Sequence, residues 1–343
     1  MDDDDVDVDA RDAADVLKRA RAAVGRYARP CAGERPRPPR SMDAIEDALE
    51  TTLAVSVAAE RAGDGRRAMR AFVDDRARAV RKDLGRFWMD AADPAGAARA
   101  TAALERMVTH DARRERAIRR DDDGWCDAEA ALREEQGAKT LGMLCAAHRA
   151  RGGRTPRAGE FASLFLCARA REVGTEGIGR VAGDLRRMYD RGGASSAIGV
   201  RVLNALGHGN HRRFFELVES DACAYEHACV LERMFPDVRV RALEVMNAAM
   251  NSTPMSTEEL ARVLRLDRAR DAADLADACG LAVDGDFVSF RTKPFTRPNM
   301  RDPDVSRRLR SMSCSIVDAK LPEGERWYDA VATPRTDPSA SVE

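Results

Sequence analysis

The sequence predicts a mostly α protein: a TPR-like helical stack capped at its C-terminal end by a winged-helix unit with a small β-hairpin. Three observations carry that prediction. Aromatic residues are only 5% of the 343 and alanine is abundant, a composition that favours helix. Amphipathic segments recur between glycines (Gly152-Gly153, Gly174, Gly192-Gly193), and antiparallel helices joined by short turns are how α-solenoids stack. Near the C-terminus two capped helical stretches run directly into an Asp-Gly hairpin signal. The length is enough for a large core and suggests more than one domain. The chain partitions into a tail and linker over 1–40, the stack over 41–250, the winged helix over 251–298 and a second tail over 299–343.

In chain order, residues 1–12 form an acidic block whose like charges repel and bury nothing, so disorder is expected there. Asp15–Tyr27 reads as a short helix with a basic face. Arg29 to Arg40, with four prolines, reads as an extended linker. Ser41 caps a helix to about Glu60 with Ile45, Leu49 and Leu53 on its buried stripe, and Gly63-Asp64-Gly65 closes it. Arg66–Met89 follows, its Met69, Phe72, Val73, Val80, Leu84, Phe87 and Trp88 recurring at a helical period. Asp93-Pro94 breaks the chain before a helix of about Gly96–His110, and Arg113 to Asp123 reads as a charged, flexible junction. Helices resume over about Asp127–Arg149, Ala158–Arg171, Glu176–Tyr189 and Ala194–Leu206, with no strict sequence period.

The stretch Arg201 to Phe290 is the most informative. Val202, Leu203 and Leu206 end one apolar face, and His208-Gly209-Asn210 signals a turn before the amphipathic Arg213–Val218. Helices over Tyr225–Phe235 and Val238–Met250 are divided by Pro236-Asp237. Ser256 with Glu259 three residues on has the reciprocal capping spacing, and Leu260, Val263 and Leu264 form the stripe that follows. Asp267 is placed to cap the next helix, which runs to Cys279 and ends at Gly280. Leu281-Ala282-Val283, Asp284-Gly285 and Asp286 to Phe290 read as a hairpin with the two-residue turn Asp-Gly favours. Beyond Arg291, Pro294, Pro298, Pro303 and Pro322 punctuate a tail in which Ser315–Leu321 reads as one segment packing back, and Thr333–Glu343 as disordered.

Composition excludes several classes. No run approaches the ~18–20 apolar residues of a membrane span, and Met1-Asp2-Asp3-Asp4-Asp5 is the reverse of a signal peptide's basic start. The eight cysteines are scattered with no C-x-x-C pair, as expected of reduced, buried thiols in an intracellular protein. A formal net charge of −1 gives no whole-molecule attraction to nucleic acid, so any such binding needs a local patch. Lysine occurs at only five positions while arginine is everywhere, a pattern a GC-rich gene produces, so arginine clusters carry less information than usual.

The run Asn204–Leu217 (NALGHGNHRRFFEL), the segment Val238–Leu243 and the Pro254–Leu260 helix start resemble the Sac-three/GANP domain family. Upstream, Phe72 to Leu84 resembles the family's hallmark helix, F-x-x-D-R-x-R-x-x-R-x-D-L, with Phe72, Asp75, Arg76, Arg78, Arg81, Asp83 and Leu84 at the motif positions. Gln136–Leu144 and Glu160-Phe161 fit the intervening segments. The resemblance covers about Tyr27 to Pro298; the family's upstream Cys-Pro and Glu-Arg motif is not found. It implies a non-catalytic scaffold of nuclear messenger-RNA export, with a PCI-type stack, a PCI partner protein, a small acidic stabilising subunit and RNA at paired winged helices. It implies a nuclear protein, with the cytoplasm as a second location. Two rival roles stay open: a short, domain-only member acting at the centrosome and spindle, and a PCI subunit of a proteasome-lid-like or translation-factor complex.

Candidate sites follow. Arg262, Arg265, Arg268 and Arg270 lie on or between the two winged-helix helices, and Arg291, Lys293 and Arg297 follow the second hairpin strand. Wing and helix together could straddle a phosphate backbone without reading bases, although Asp267, Asp271, Asp274 and Asp277 compete. Phe287, Val288 and Phe290 either serve the unit's own core or, through an open strand edge, a partner's sheet. Arg76, Arg78, Arg81 and Lys82 could face phosphate, but Asp74 and Asp75 precede Arg78 at ion-pairing spacing. His208, His211, Cys223, His227 and Cys229 lack the paired spacing of a structural zinc site, so no metal and no cofactor is expected. No nucleophile elbow, phosphate loop or H-E-x-x-H is present, which argues against an enzyme.

Overall fold

A computed structural model describes residues 15–22, 24–25, 40–61, 66–90, 92–120, 127–153, 155–170, 183, 185–186, 188, 197–250, 253–300, 302–312 and 315–328. The acidic start, most of the linker and Thr333–Glu343 lie outside them. Of the predicted Glu176–Tyr189 helix, only the helical 183, 185–186 and 188 are described. The described chain is mostly helical with one small three-stranded antiparallel sheet. It divides into two compact units, one of 1–114, 126–152 and 325–343, the other of 115–125 and 153–324.

In the first unit, α1 (Met42–Arg61) and α2 (Arg66–Phe87) pack along their apolar stripes. Ile45, Leu49 and Leu53 are buried on α1 as their spacing predicts, and Met69, Phe72, Val73, Val80 and Leu84 on α2. Val55, Ala59, Met69, Phe72 and Val73 share one cluster with Leu17 and Ala20 of the helical turns at 15–22. Each large side chain so buried contributes ~1.5–3 kcal/mol.

The third helix departs from the sequence reading. α3 (Pro94–Arg120) continues ten residues past His110, through most of the stretch that reads as a flexible junction. The cause is long-range. Arg113, Arg114 and Arg116 are all buried, and a buried guanidinium is tolerated only where acceptors meet it. Arg113 donates to the Trp327 carbonyl at 3.4 Å, and Arg114 to Asp74 at 2.7 Å and the Arg70 carbonyl at 3.1 Å, all within the first unit. Arg116 donates to Glu232 at 2.7 Å and the Tyr225 hydroxyl at 3.2 Å, and Arg119 to the Cys229 carbonyl at 3.1 Å, within the second. α4 (Asp127–Ala150) completes the first unit's long helices.

The second unit begins with α5 (Ala158–Ala168), α6 (Ile198–Gly207), α7 (His211–Glu219) and α8 (Tyr225–Leu231). α5 and α6 approach so closely at Gly199 that a Cβ there would lie 2.6 Å from the Ser163 carbonyl oxygen, and the Gly199 amide donates to Ser163 Oγ at 2.7 Å. Asn210 caps α7 by accepting from the Arg213 amide at 2.9 Å. Pro236-Asp237 is not the gap it reads as. A 3-10 turn, Glu232–Met234, leads directly into α9 (Phe235–Ala249), where Pro236 is the second residue and its missing N–H would have had no partner.

A compact C-terminal part follows: β1 (Met255–Ser256), α10 (Thr257–Leu264), α11 (Ala269–Ala278), β2 (Ala282–Asp284) and β3 (Phe287–Ser289). Ser256 caps α10 through the Glu259 amide at 3.1 Å, as the capping spacing predicts. Gly280 ends α11 with φ +74°. The hairpin turn sits one residue later than Asp284-Gly285. Asp284 pairs with Phe287, leaving Gly285 and Asp286 as its central residues, with Gly285 at φ +56° in the first position, where primed turns require it. The sheet order is β1-β3-β2, so the hairpin gains a third strand, with Met255 opposite Val288 and Ser256 opposite Phe287.

The chain past Arg291 is more ordered than its prolines suggest. α12 (Pro303–Ser311) is capped by Asp302, which accepts from the Asp304 and Val305 amides. Its Leu309, with Met312 just beyond, joins a cluster containing Leu260, Leu264, Leu275, Val288 and Phe290 together with Val240 and Leu243 of α9. The short α13 (Ser315–Asp318) packs back with Val317 fully buried, inside the segment the sequence marks as ordered.

Candidate functional site

The C-terminal part meets the preceding helices through an apolar cluster and several polar contacts, among them those of Arg239, Arg265 and Arg297. Arg239 on α9 is 2% exposed. Its Nε donates to the Leu264 carbonyl at 3.0 Å and its Nη2 to the Arg265 carbonyl at 2.5 Å, satisfying acceptors that the end of α10 leaves open. Its guanidinium also lies 5.8 Å from the Phe215 ring centroid and 5.4 Å from that of Phe235. Those two rings and Phe214 form an edge-to-face trio at 5.2–5.8 Å. Arg265 caps α10 in the left-handed conformation, φ +53°, and forks onto Glu219 at 2.7 and 3.1 Å.

Asp267 does not cap α11. The N-cap is Arg268, whose side chain makes no capping bond, and Asp267 instead accepts from the Ser315 amide at 3.0 Å and the Ser315 hydroxyl at 2.8 Å. Nearby, Lys320 Nζ donates to the Glu219 and Ser220 carbonyls at 2.8 and 2.7 Å, and Asp318 pairs with Arg116 and Arg120, each at 2.8 Å. Arg116 and Arg120 hold the Asp318 carboxyl below its usual range despite partial burial, which alone would raise it.

The seven basic candidates separate into two groups. Arg265, Arg268 and Arg297 each fork onto a carboxylate: Glu219, Asp271 (2.8 and 3.0 Å) and Glu244 (2.5 and 3.3 Å). Arg270 lies 4.0 Å from Asp274. Arg262, Arg291 and Lys293 are exposed, and among the described residues their side chains make no hydrogen bond or ion pair. The Arg297–Glu244 pair is partly exposed and worth only ~0.2–1 kcal/mol, so an incoming phosphate can compete for Arg297, whereas Asp271 is buried and would lose its partner if Arg268 left it.

The hairpin residues divide as well. Val288 and Phe290 are fully buried in the unit's own core, whereas Phe287 is 52% exposed. All three were candidates for pairing at an open edge, but β3 is the central strand, and the free edges belong to β1 and β2.

The hallmark helix is α2; several of its charged residues face inward, while Arg67, Lys82 and Arg86 are exposed. Arg76 is buried, donates through Nε to the Val24 carbonyl at 2.9 Å and lies over the Phe72 ring at 4.6 Å. Arg81 donates to the Gln136 carbonyl at 2.8 Å and Thr140 Oγ1 at 3.2 Å on α4. Asp83 accepts from Arg40 Nε at 2.8 Å. The spacing suggests pairs of Asp74 and Asp75 with Arg78; instead Asp74 meets Arg114 and Asp75 meets Arg76. The buried Arg78 Nε has no hydrogen-bond partner among the described residues. These residues hold helices together, and spacing along one helix cannot reveal that, because the partners lie 40 to 59 residues away.

Of the zinc-tempting set, Cys223, His227 and Cys229 are buried on or beside α8, and His208 bonds its own helix, its Nδ1 2.7 Å from the Asn204 carbonyl oxygen. Burial lowers the His227 pKa and raises the Cys229 thiol to about 12, so both are neutral near pH 7. Among the described residues no group of three or more His, Cys, Asp or Glu is placed to hold a metal.

Together these features define a mostly helical protein with one small antiparallel sheet, buried arginine networks and exposed basic side chains near its C-terminal part. The sequence model of the SAC3/GANP family matches residues 8–285. The chain belongs to that family. The match begins upstream of Tyr27, where the motif resemblance starts. The chain is also similar to SAC3 family protein 1 of Schizosaccharomyces pombe, 37% identical over 115 residues, which cover 32% of this chain and 11% of that protein. It therefore spans only a small share of that relative's length.

Proposed function

We propose that this protein is a non-catalytic scaffold subunit of a nuclear messenger-RNA export complex, acting in the nucleus. In this reading its C-terminal part is a winged helix of PCI type that docks a partner PCI protein, with a small acidic subunit stabilising the pair. RNA is held non-specifically by Arg262, Arg291 and Lys293, with Arg270 and Arg297 released from their carboxylates as phosphates arrive and Arg268 adding its charge while still paired with Asp271. The observation that carries the reading is membership of the SAC3/GANP family over residues 8–285. Two features support it further: three exposed basic side chains without ion pairs among the described residues, and an exposed Phe287 beside them in sequence. The carboxylates on α11 argue against base reading and for phosphate contact alone.

Two experiments test it. Affinity purification from the native organism should recover a PCI-type subunit; recovery of proteasome-lid, translation-factor or spindle proteins instead overturns the export assignment. Filter binding to single-stranded RNA should weaken steeply with salt. The Arg262→Glu, Arg291→Glu, Lys293→Glu triple variant should flatten the log–log slope by about 2, at ~0.7 per lost phosphate contact. An unchanged slope removes RNA from the proposal.

A further inference from the structure

Helix α12 carries a feature that scaffolding does not use. Its last residue, Ser311, is exposed, and three arginines precede it at positions −4, −3 and −1: Arg307, Arg308 and Arg310. Serine kinases with acidic peptide grooves recognise arginines in this arrangement by the same charge complementarity that pairs guanidinium with carboxylate. Arg308 and Arg307 lie three and four residues before Ser311, on its side of the helix. Arg310 is turned elsewhere, donating to Ser306 Oγ at 2.6 Å.

Arg308 has a second role. Its Nη2 lies 2.7 Å from Asp274 of α11, and beside the buried Leu309 and Met312 this ion pair holds α12 to α11. The Ser311 hydroxyl meanwhile donates to the Arg308 carbonyl at 3.0 Å, closing the helix end.

We propose that Ser311 is a phosphorylation site for an arginine-directed serine kinase, and that the phosphate loosens α12 from α11. Ser311 Oγ attacks the γ-phosphorus of magnesium-bound ATP. The new O–P bond forms as the β–γ bridging bond breaks, ADP leaves, and the hydroxyl proton passes to the kinase's base. The product carries ≈ −1.5 to −2 charge at a helix C-terminus, where the dipole opposes it. It also removes the donor that capped the Arg308 carbonyl. The phosphate then competes for Arg308 as a stronger bidentate partner than Asp274, leaving Asp274 with Arg270 at 4.0 Å.

The full chain is treated with magnesium-ATP and an arginine-directed kinase, the catalytic subunit of the cyclic-AMP-dependent enzyme, and the site mapped by mass spectrometry. One phosphate per chain is expected on Ser311, absent in Ser311→Ala, retained in Ser311→Thr, and at least tenfold slower to form in Arg308→Ala. Hydrogen exchange of amides 305–311 should then accelerate at least tenfold, and Asp274→Asn should accelerate it without phosphate. Phosphate on Ser313 or elsewhere with Ser311 unmodified overturns the site. Modification of Ser311 with unchanged exchange over 305–311 overturns the release.

Discussion

α2 and the C-terminal part use the same residue in opposite ways. On α2 the hallmark arginines Arg76 and Arg81 are drawn in: Arg76 is buried against Phe72 and the Val24 carbonyl, and Arg81 reaches across to α4. Around α10, α11 and the hairpin most arginine side chains stay in water, either forked onto carboxylates such as Asp271 and Glu244 or, as with Arg262 and Arg291, without an ion pair among the described residues. The difference teaches that arginine density says nothing about role; burial and the partner's distance along the chain do. A buried arginine with satisfied donors is costly to disturb, whereas an exposed one is available to phosphate at little cost.

That contrast can be broken from its strongest point downward. Arg239→Ala strips both α10-end carbonyls of their buried donor and opens a cavity among three phenylalanine rings. It should cost ~3 kcal/mol, read as a lowered denaturant midpoint. Cutting Glu232 to alanine leaves the buried Arg116 with Asp318 and the Tyr225 hydroxyl alone, for a loss of ~2 kcal/mol; a cost near zero would mean the α3 terminus is not held as described. Gly199→Ala forces α5 and α6 apart at Ser163, and overpacking of this kind costs ~1–3 kcal/mol. At the weak end, Arg262→Ala and Lys293→Ala should shift stability by less than ~0.5 kcal/mol while weakening RNA binding.

The comparison sharpens with pH. Burial lowers the His227 pKa in the folded chain below its ordinary value, outweighing the nearby Glu160 and Glu226 carboxylates that favour its charged form. The unfolded chain takes up a proton near ~6.5 while the folded one resists. Stability is therefore expected to fall as pH drops below that value, and His227→Gln or His227→Phe should flatten the decline in a thermal-unfolding series from pH 7 to 5. Asp318 shifts in the same direction but in a lower window: its folded pKa is depressed too, so its share is present above ~3.9 and is lost as pH falls through the folded value.

Much of the fold was legible. The Ile45–Leu49–Leu53 stripe, the Ser256–Glu259 cap and the Gly280 stop appear where local spacing places them, and the hairpin with its turn one residue later than expected. Pro236 was misread because a proline inside a helix and one at its second position look alike until the preceding turn is known. The hairpin's third strand was hidden because Met255–Ser256 is too short to show alternation. Of the candidate site, the exposed basic residues were found from sequence, but their sorting into paired and unpaired was not. Glu219 and Glu244 lie 46 and 53 residues from Arg265 and Arg297.

By itself the sequence determined which faces of most helices are buried and where several start or stop, because capping bonds and apolar periodicity are settled within one or two turns of chain. Only the tertiary structure decided that α3 runs on to Arg120, that Asp267 serves Ser315 rather than its own helix, and that the hallmark arginines brace the interior. A charged side chain takes whichever partner the packing of distant apolar surfaces brings within about 3 Å, and no window of local sequence contains that partner.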